Sequence, residues 1–112
     1  MFNFFGGDPN DIDCDTFENL VKEGYIAIDV RTKEEHVQAR ITDCKQIDFY
    51  APDFKQKISE LDKNGKYIIY CRSGNRSRQT VSYMSSNGFN TAKNLKGGII
   101  TWYNSGRKLI QD

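Results

Sequence analysis

The segment YIIYCRSGNRSR, residues 67–78, joins a short apolar run to a cysteine and then to three arginines. The run YIIY is typical of a buried strand, because it is short, apolar and rich in aromatic and β-branched residues. Residues 76–87 are predicted to be helical, and Gly88 provides the stop signal. A strand that turns into a helix within a few residues indicates a βαβ unit, so we expect Cys71 at the carboxyl end of a parallel strand.

The rest of the chain alternates between helical and strand patterns in the same way. Further helices are predicted over residues 15–24, over residues 32–41 and from Pro52 onward. Further strands are predicted over residues 25–30, 45–49 and 91–95, and a final short helix or irregular turn follows Gly97 and Gly98. This alternation predicts an α/β fold whose mostly parallel sheet is covered by helices on both faces. Residues 1–11 are interpreted as an irregular N-terminal arm, and residues 12–112 as one folded domain.

Charge is divided unevenly along the chain, although the net charge is only +1 over 112 residues. Residues 1–62 contain 14 acidic and 7 basic residues, whereas residues 63–111 contain 9 basic residues and no acidic one. One interpretation is that the surroundings of Cys71 favour anions. The other is that folding interleaves the two halves and averages the asymmetry.

The three cysteines, Cys14, Cys44 and Cys71, form no CxxC pair and cannot complete a disulfide framework. Free thiols in a reducing compartment are therefore expected, and we interpret the protein as cytoplasmic.

The first residues have neither a basic start nor an apolar run of membrane-spanning length. Because no stripe of basic and aromatic residues stands out, we expect no nucleic acid; nor do we expect a membrane, a metal or a cofactor.

The loop that follows Cys71 suits a reactive thiolate. Gly74 allows a positive φ, and a short loop that curls into a helix points several N–H groups at one spot. Such surroundings lower the pKa of a cysteine from about 8.5 to between about 3.5 and 7.5. Arg72 and Arg76 flank the loop and are expected to bind an oxyanion. The alternative is a buried and inert cysteine in a strand-to-helix turn.

Three segments together resemble the rhodanese family of single-domain sulfurtransferases. YCRSGNRS (residues 70–77) resembles the active-site loop of the family, IDVRTKEEH (28–36) its DVR segment, and NLKGGIITW (94–102) its L.GG...W ending. These segments keep the order and spacing of the family, so the resemblance extends from Asp13 to Gly106. It implies an α/β fold with a five-stranded, mainly parallel sheet.

The resemblance also implies an activity, in which a cysteine takes up sulfane sulfur as a persulfide and passes it to a thiol or to cyanide. Cys71 matches the persulfide carrier, and thiosulfate or a persulfide is the implied donor. The implied acceptor is a thiol, either small or belonging to a thioredoxin-like or sulfur-carrier protein. The residues expected to surround the transferred sulfur are Arg72, Ser73, Gly74, Asn75, Arg76 and Ser77.

One segment departs from the family pattern. Many members have an aromatic-x-x-Gly-His-Ile sequence where this chain has HVQARI, so His36 replaces the aromatic residue and Arg40 the histidine. We interpret His36 as a surface or half-buried residue and not as a catalytic one.

Asp29 and Arg31 lie at the carboxyl end of another predicted strand and so could approach the site. We favour a structural ion pair over a role in chemistry, with Arg31 bound to Glu34 or Glu35. In the same segment, Thr32 and Glu35 have the spacing of a helix capping box.

Each of the remaining candidate residues has a structural interpretation as well as a functional one. Cys14 or Cys44 could act as a second thiol that resolves a Cys71 persulfide, but we favour small apolar or incidental residues. Trp102 and Tyr103 are expected to anchor the last segment against the sheet. Arg78 lies on the first turn of a predicted helix, and its position is as consistent with a solvent-exposed side chain as with a functional one.

Two other functions stay open from the residues. A phosphatase or an arsenate reductase on the same scaffold would carry Cys-x5-Arg, whereas Arg76 gives Cys-x4-Arg and Ser77 occupies the sixth position after Cys71. This spacing argues against phosphate. A non-catalytic interaction domain would not need to keep the cysteine and its anion-binding surroundings.

Overall fold

The computed structural model describes residues 8–112, which form a single five-stranded sheet in the order β1–β5–β4–β2–β3. Every neighbouring pair of strands is parallel. The strands are β1 (Asp11–Ile12), β2 (Ile26–Asp29), β3 (Lys45–Gln46), β4 (Lys66–Tyr70) and β5 (Thr91–Leu95). The helices are α1 (Cys14–Lys22), α2 (Lys33–Gln38), α3 (Phe54–Ser59), α4 (Asn75–Ser86) and α5 (Gly98–Asn104). The predicted α/β fold with a parallel sheet is confirmed.

Helices cover both faces of the sheet because successive strand residues point to opposite sides. On one face, Ile28 and Ile69 pack against α3 and α4 through Ile58 and Met84. On the other face, Tyr70 packs with Phe17 of α1 and with residues of α5. The central strand β4 is buried over its last four residues, so the sheet holds the start of the cysteine loop in a fixed position.

The C-terminal segment is anchored by one of the two aromatic residues expected to do so. Trp102 is buried, its ring centroid lies 5.2 Å from that of Phe17, and its Nε1–H donates to the carbonyl oxygen of Lys108. Tyr103 is 66% exposed, so the prediction that it also anchors this segment is wrong. Consecutive residues of a helix are about 100° apart around its axis, and here only the Trp102 side faces the sheet.

Several boundaries differ from the sequence prediction. Strand β1 was not predicted: Asp11 falls at the end of the expected arm and pairs with Asn94 of β5. The second helix ends at Gln38 instead of residue 41, because Ala39 has an extended backbone with φ −165° and ψ 138°. Most of the proposed arm lies outside the described residues, and its boundary at residue 12 stays a prediction.

Folding interleaves the acidic and basic halves of the chain. Arg107 on the C-terminal side binds Asp15 and Glu18 of α1, and Arg78 of α4 lies 3.2 Å from Asp11. The second interpretation of the charge asymmetry is therefore correct for these pairs. Within residues 8–112, no helix is both long enough and apolar enough to cross a membrane.

Candidate functional site

The thiol of Cys71 lies directly after β4, at the carboxyl edge of the sheet, and is almost fully buried. Its Sγ accepts hydrogen bonds from the backbone N–H groups of Gly74 at 3.1 Å and Ser77 at 3.4 Å. The hydroxyl oxygen of Ser77 lies 3.3 Å from the same sulfur. The loop thus surrounds one sulfur atom with three polar groups, two backbone N–H groups and one hydroxyl.

The hydroxyl of Ser77 has two acceptors within reach but only one proton. Its Oγ lies 3.2 Å from the carbonyl oxygen of Gly74 and 3.3 Å from the sulfur of Cys71. When Cys71 is a thiol, its S–H can donate to Ser77 Oγ, which in turn donates to Gly74. When Cys71 is a thiolate, the Ser77 proton turns towards the sulfur, because the anion is the stronger acceptor. Rotation of this one hydroxyl is therefore enough to provide a donor to the sulfur in its charged form.

Two opposing effects set the pKa of Cys71. Burial is the larger single effect and raises the pKa, since it removes water from the charged form. The hydroxyl of Ser77 and the N–H groups of Ser77, Gly74 and Ser73 lower it, and together they exceed the effect of burial. The net pKa lies below the ordinary value of a thiol, which favours a nucleophilic thiolate.

Gly74 makes the turn from strand to helix. It has a φ of 107°, in the left-handed region, and its position immediately precedes α4. A Cβ at this position would lie 3.3 Å from the backbone nitrogen of Gly97. Both the conformation and the close approach of a second loop therefore favour glycine here.

A pair of glycines docks α5 onto the cysteine loop. A Cβ on Gly98 would lie 2.5 Å from the carbonyl oxygens of both Cys71 and Arg72, so no larger residue fits. The N–H groups at the start of α5 donate to those same carbonyls, from Ile99 to Cys71 at 3.0 Å and from the next residue to Arg72 at 3.1 Å. These bonds tie the start of α5 to the first two residues of the cysteine loop. The sequence pattern predicts that a new segment begins after Gly97 and Gly98, but it does not predict this contact with the loop.

The two arginines expected to bind an oxyanion have different surroundings. Arg76 donates to both carboxylate oxygens of Glu35, at 2.9 and 3.1 Å, and its guanidinium lies over the ring of Tyr50. Arg72 is exposed, and no carboxylate in the described part of the chain lies within salt-bridge distance of it. Arg72 therefore remains available to an anion, whereas Arg76 is already paired. Glu35 lies 41 residues before Arg76, and nothing in the sequence pattern identified it as a partner.

The other loop residues contribute mainly backbone. The side chains of Ser73 and Asn75 are exposed, and Asn75 accepts a long hydrogen bond of 3.5 Å from Gln79. The loop region thus brings all the expected residues together. Gly74 and Ser77 form the hydrogen bonds to the sulfur described above, and the backbone N–H of Ser73 adds to their effect on its pKa.

Asp29 forms a buried network with residues of α2 and the segment before it. Its carboxylate accepts from Arg31 at 2.7 and 2.9 Å, and lies 2.8 Å from Nδ1 of His36. The prediction of a structural ion pair is correct in kind, but the predicted partner of Arg31 is wrong. Asp29 is only two residues from Arg31, and its buried carboxylate also accepts a hydrogen bond from the backbone N–H of Arg31. This additional bond holds Arg31 against Asp29 instead of against the predicted glutamates. The side chain of His36 is half-buried, as expected.

The other two cysteines are poorly suited to act as second thiols. Burial raises the pKa of Cys44 to about 11 and also raises the pKa of Cys14. Cys44 lies 3.9 Å from the hydroxyl of Tyr70, and Cys14 packs in the core beside Phe17. Both thiols are therefore protonated near neutral pH, which agrees with the packing interpretation.

A groove of about 290 Å³ lies beside the cysteine loop. Its charged lining residues are Arg31, Glu35 and Arg72, and part of its apolar wall comes from Ile100 and Tyr103. Tyr103 thus lines this groove instead of packing in the core.

Comparisons with known proteins agree with the fold and with the sequence resemblance. The family model of the rhodanese-like domain matches residues 13–105. A sulfurtransferase of Allochromatium vinosum is 33% identical over 103 residues, which cover 90% of this chain and 94% of that protein. Rhodanese-like domain-containing protein 17 of Arabidopsis thaliana is 30% identical over 105 residues, covering 83% of this chain and 67% of that protein. A crystal structure of a rhodanese-related protein from Thermoplasma volcanium superposes with a TM-score of 0.79 at 28% identity, covering 92% and 99% of the two chains.

Proposed function

Because this chain belongs to the rhodanese-like domain family, we propose that it is a sulfurtransferase that carries sulfane sulfur on Cys71. The observation that carries this proposal is the set of donors from Gly74 and Ser77 that converge on one buried sulfur. A merely packed cysteine needs no such donors, and burial alone would raise its pKa instead of lowering it.

In the first half of the reaction, the Cys71 thiolate attacks the outer sulfur of thiosulfate. A new S–S bond forms on Sγ, the S–S bond of thiosulfate breaks, and its electron pair leaves with sulfite. The lowered pKa of Cys71 favours the thiolate, and attack by the thiolate needs no base to remove a proton. His36, whose Nδ1 is held by Asp29, is therefore not needed as a base.

In the second half, an acceptor thiolate attacks the outer sulfur of the Cys71 persulfide. The bond to Sγ breaks, Cys71 recovers the electron pair as its thiolate, and the acceptor leaves as a persulfide. Cyanide would accept the same sulfur and leave as thiocyanate. The donors that stabilise the thiolate also make Cys71 a good leaving group in this step, since lower-pKa thiols leave faster.

Access to the sulfur favours a donor that presents one atom end-on. Cys71 is only 1% exposed, and the loop N–H groups occupy the space around Sγ. Arg72 is the exposed guanidinium next to it in the chain. We infer that Arg72 attracts the anionic end of the donor while the sulfane sulfur enters the loop.

Intact-mass measurement tests the proposal directly. Thiosulfate should add the mass of one sulfur atom to the wild-type protein, and cyanide or an added thiol should remove it. Cys71→Ser should accept no sulfur, whereas Cys14→Ser and Cys44→Ser should load like the wild type. Sulfur found on Cys14 or Cys44 with Cys71 unmodified would overturn the assignment of the carrier.

A further inference from the structure

We propose that Glu35 biases the site against doubly charged sulfur donors by keeping the guanidinium of Arg76 away from the substrate. The inference rests on the proposed sulfurtransferase activity and names the donor class within it. Donors with one negative charge, such as thiosulfonates and organic persulfides, suit the site better than the thiosulfate dianion does. Glu35 is a positioning residue in this account, since it acts through Arg76.

The contact between Glu35 and Arg76 is bidentate and well protected. Each guanidinium nitrogen in the pair donates to a different carboxylate oxygen, at 2.9 and 3.1 Å. The Arg76 side chain is 14% exposed, and the ring of Tyr50 covers it at 5.6 Å from centroid to Cζ. An incoming anion would have to replace both hydrogen bonds to recruit this arginine.

Glu35 is itself fixed in place by the start of α2. Its Oε1 accepts from the backbone N–H of Thr32 at 3.1 Å, while its own N–H donates to the Thr32 hydroxyl at 3.2 Å. The carboxylate therefore belongs to a capping box and also reaches across to α4. Because two elements hold it, Glu35 does not release Arg76 by a simple side-chain rotation.

Within residues 8–112, the groove beside the cysteine loop is lined by two arginines and one carboxylate, and one of these arginines has no carboxylate partner. Among the charged residues that line the groove, Arg31 is neutralised by Asp29 and Glu35 by Arg76. Of these three lining residues, only Arg72 has no partner of opposite charge within salt-bridge distance among residues 8–112. A dianion that approaches the Cys71 thiolate adds a second negative charge that no side chain at the groove offsets, whereas a monoanion is matched by Arg72.

Thiosulfate and methanethiosulfonate provide a matched pair of donors. Both present a terminal sulfane sulfur, but a methyl group replaces one anionic oxygen in the second, which lowers the charge from −2 to −1. In the second case the leaving group is methanesulfinate, and the bonds formed and broken on sulfur are the same. Steady-state kcat/KM with cyanide as acceptor, at one pH and one ionic strength, should be measured for both donors.

Glu35→Gln should raise kcat/KM for thiosulfate about tenfold, mainly through KM, because a charge-assisted contact with Arg76 becomes available. For methanethiosulfonate the gain should stay below about threefold. Glutamine keeps an oxygen that can accept from Thr32, so the capping box is retained. Glu34→Gln is the matched control. Glu34 is the exposed neighbour of Glu35 on the same helix, so this substitution removes the same charge but leaves the contact between Glu35 and Arg76 intact.

A second substitution tests whether the gain passes through Arg76. In the Glu35→Gln, Arg76→Gln double variant, the ratio of kcat/KM for thiosulfate to that for methanethiosulfonate should return to the wild-type value.

If Glu35→Gln does not fold, Glu35→Asp provides a second variant. It shortens the side chain by one methylene, which breaks the bidentate contact, and a smaller gain in kcat/KM for thiosulfate is expected. Equal changes for both donors in the folded variants would overturn the inference while leaving the sulfurtransferase proposal intact. Failure of both donors to load Cys71 by intact mass would overturn both.

Discussion

The hydroxyl oxygen of Ser77 lies 3.3 Å from the sulfur of Cys71, with both side chains buried at the start of α4. This contact, together with the N–H group of Gly74, opposes the cost of burying a charged sulfur. The reactivity of Cys71 therefore depends on local hydrogen bonds more than on nearby arginine charge, because Arg76 is paired with a carboxylate.

Replacing Ser77 with alanine should raise the pKa of Cys71. A hydrogen bond to a charged group is worth about 1.5–3 kcal/mol, which corresponds to a rise of about one to two pH units. Alkylation of Cys71 by iodoacetamide, followed by intact mass as a function of pH, measures this shift. At pH values below the pKa of both proteins the thiolate fraction falls with the shift, so the alkylation rate there should drop about tenfold or more.

Ser73→Ala is the control for this measurement. Ser73 lies in the same loop, but its side chain is exposed and forms none of the side-chain hydrogen bonds found in the described residues. Its backbone N–H, which contributes to the low pKa of Cys71, is unchanged by the substitution. A pKa shift equal to that of Ser77→Ala would show that the hydroxyl contact at Ser77 does not set the reactivity.

The ion pair between Glu35 and Arg76 should make the stability of the protein sensitive to acid. The Arg76 guanidinium lowers the pKa of Glu35 from 4.5 to about 2 in the folded protein. The pair therefore contributes fully above the ordinary pKa of a glutamate, and its contribution is lost as the pH falls from about 4.5 towards 2. Because the pair is partly solvated, we expect about 1–2 kcal/mol at neutral pH.

Urea denaturation at several pH values measures this contribution. The free energy of unfolding of Glu35→Gln should lie below that of the wild type at pH 7, and the difference should shrink as the pH approaches 2. Glu34→Gln should show almost no difference at any pH, because Glu34 has no such partner among the described residues. A constant difference across the whole range would mean that the Glu35 side chain stabilises the fold through packing or capping alone.

A substitution at Gly98 should damage both stability and transfer. A Cβ there would lie 2.5 Å from two carbonyl oxygens of the cysteine loop, and the backbone has a φ of 62°. We expect Gly98→Ala to lower the free energy of unfolding by at least about 2–3 kcal/mol and to reduce sulfur transfer strongly. Urea denaturation and the cyanide assay measure the two effects.

Gly106→Ala separates backbone strain from the steric clash. Gly106 also has a positive φ, 85°, but no heavy atom lies within 4 Å of the Cβ that would be added. It should cost about 1 kcal/mol in stability and leave transfer unchanged. Similar losses in the two variants would show that α5 does not hold the loop through its close approach at Gly98.

The parts of the site that sequence predicted are those that depend on short-range patterns. Cys71 follows an apolar run, Gly74 sits where the backbone needs a positive φ, and Thr32 has its capping partner three residues later. Each of these features is decided by residues close together in the chain. The order of strand and helix therefore gave the position of the cysteine loop and its N–H groups.

The parts that sequence did not predict depend on long-range contacts. Arg76 stands in a stretch without acidic residues, yet the fold brings Glu35 to it from α2. Strand β1 is only two residues long, which is too short for an alternating pattern, and its pairing with β5 defines it. The charge of the neighbouring sequence did not predict the charges that surround Arg76 in the fold, because a parallel sheet places segments that are distant in sequence side by side.

Loop length should separate sulfur transfer from phosphate chemistry. The N–H groups of Gly74 and Ser77 converge on one sulfur at 3.1 and 3.4 Å, so the loop is closed around a small anion. A phosphate in this space would leave some donors and some of its oxygens unpaired, at about 1–3 kcal/mol for each buried group. The wild-type protein should therefore show negligible hydrolysis of aryl phosphates while it transfers sulfur.

Insertion of one glycine after Gly74 should widen the loop and cut sulfur transfer sharply, because the two N–H groups would no longer meet at Sγ. Weak binding of phosphate or arsenate by the widened loop, measured by calorimetry, would agree with this explanation. A glycine inserted after the exposed Gly106 controls for the insertion itself and should leave transfer unchanged. Appreciable phosphatase activity in the unmodified protein, lost in Cys71→Ser, would overturn the proposed reaction while leaving the fold and the nucleophile in place.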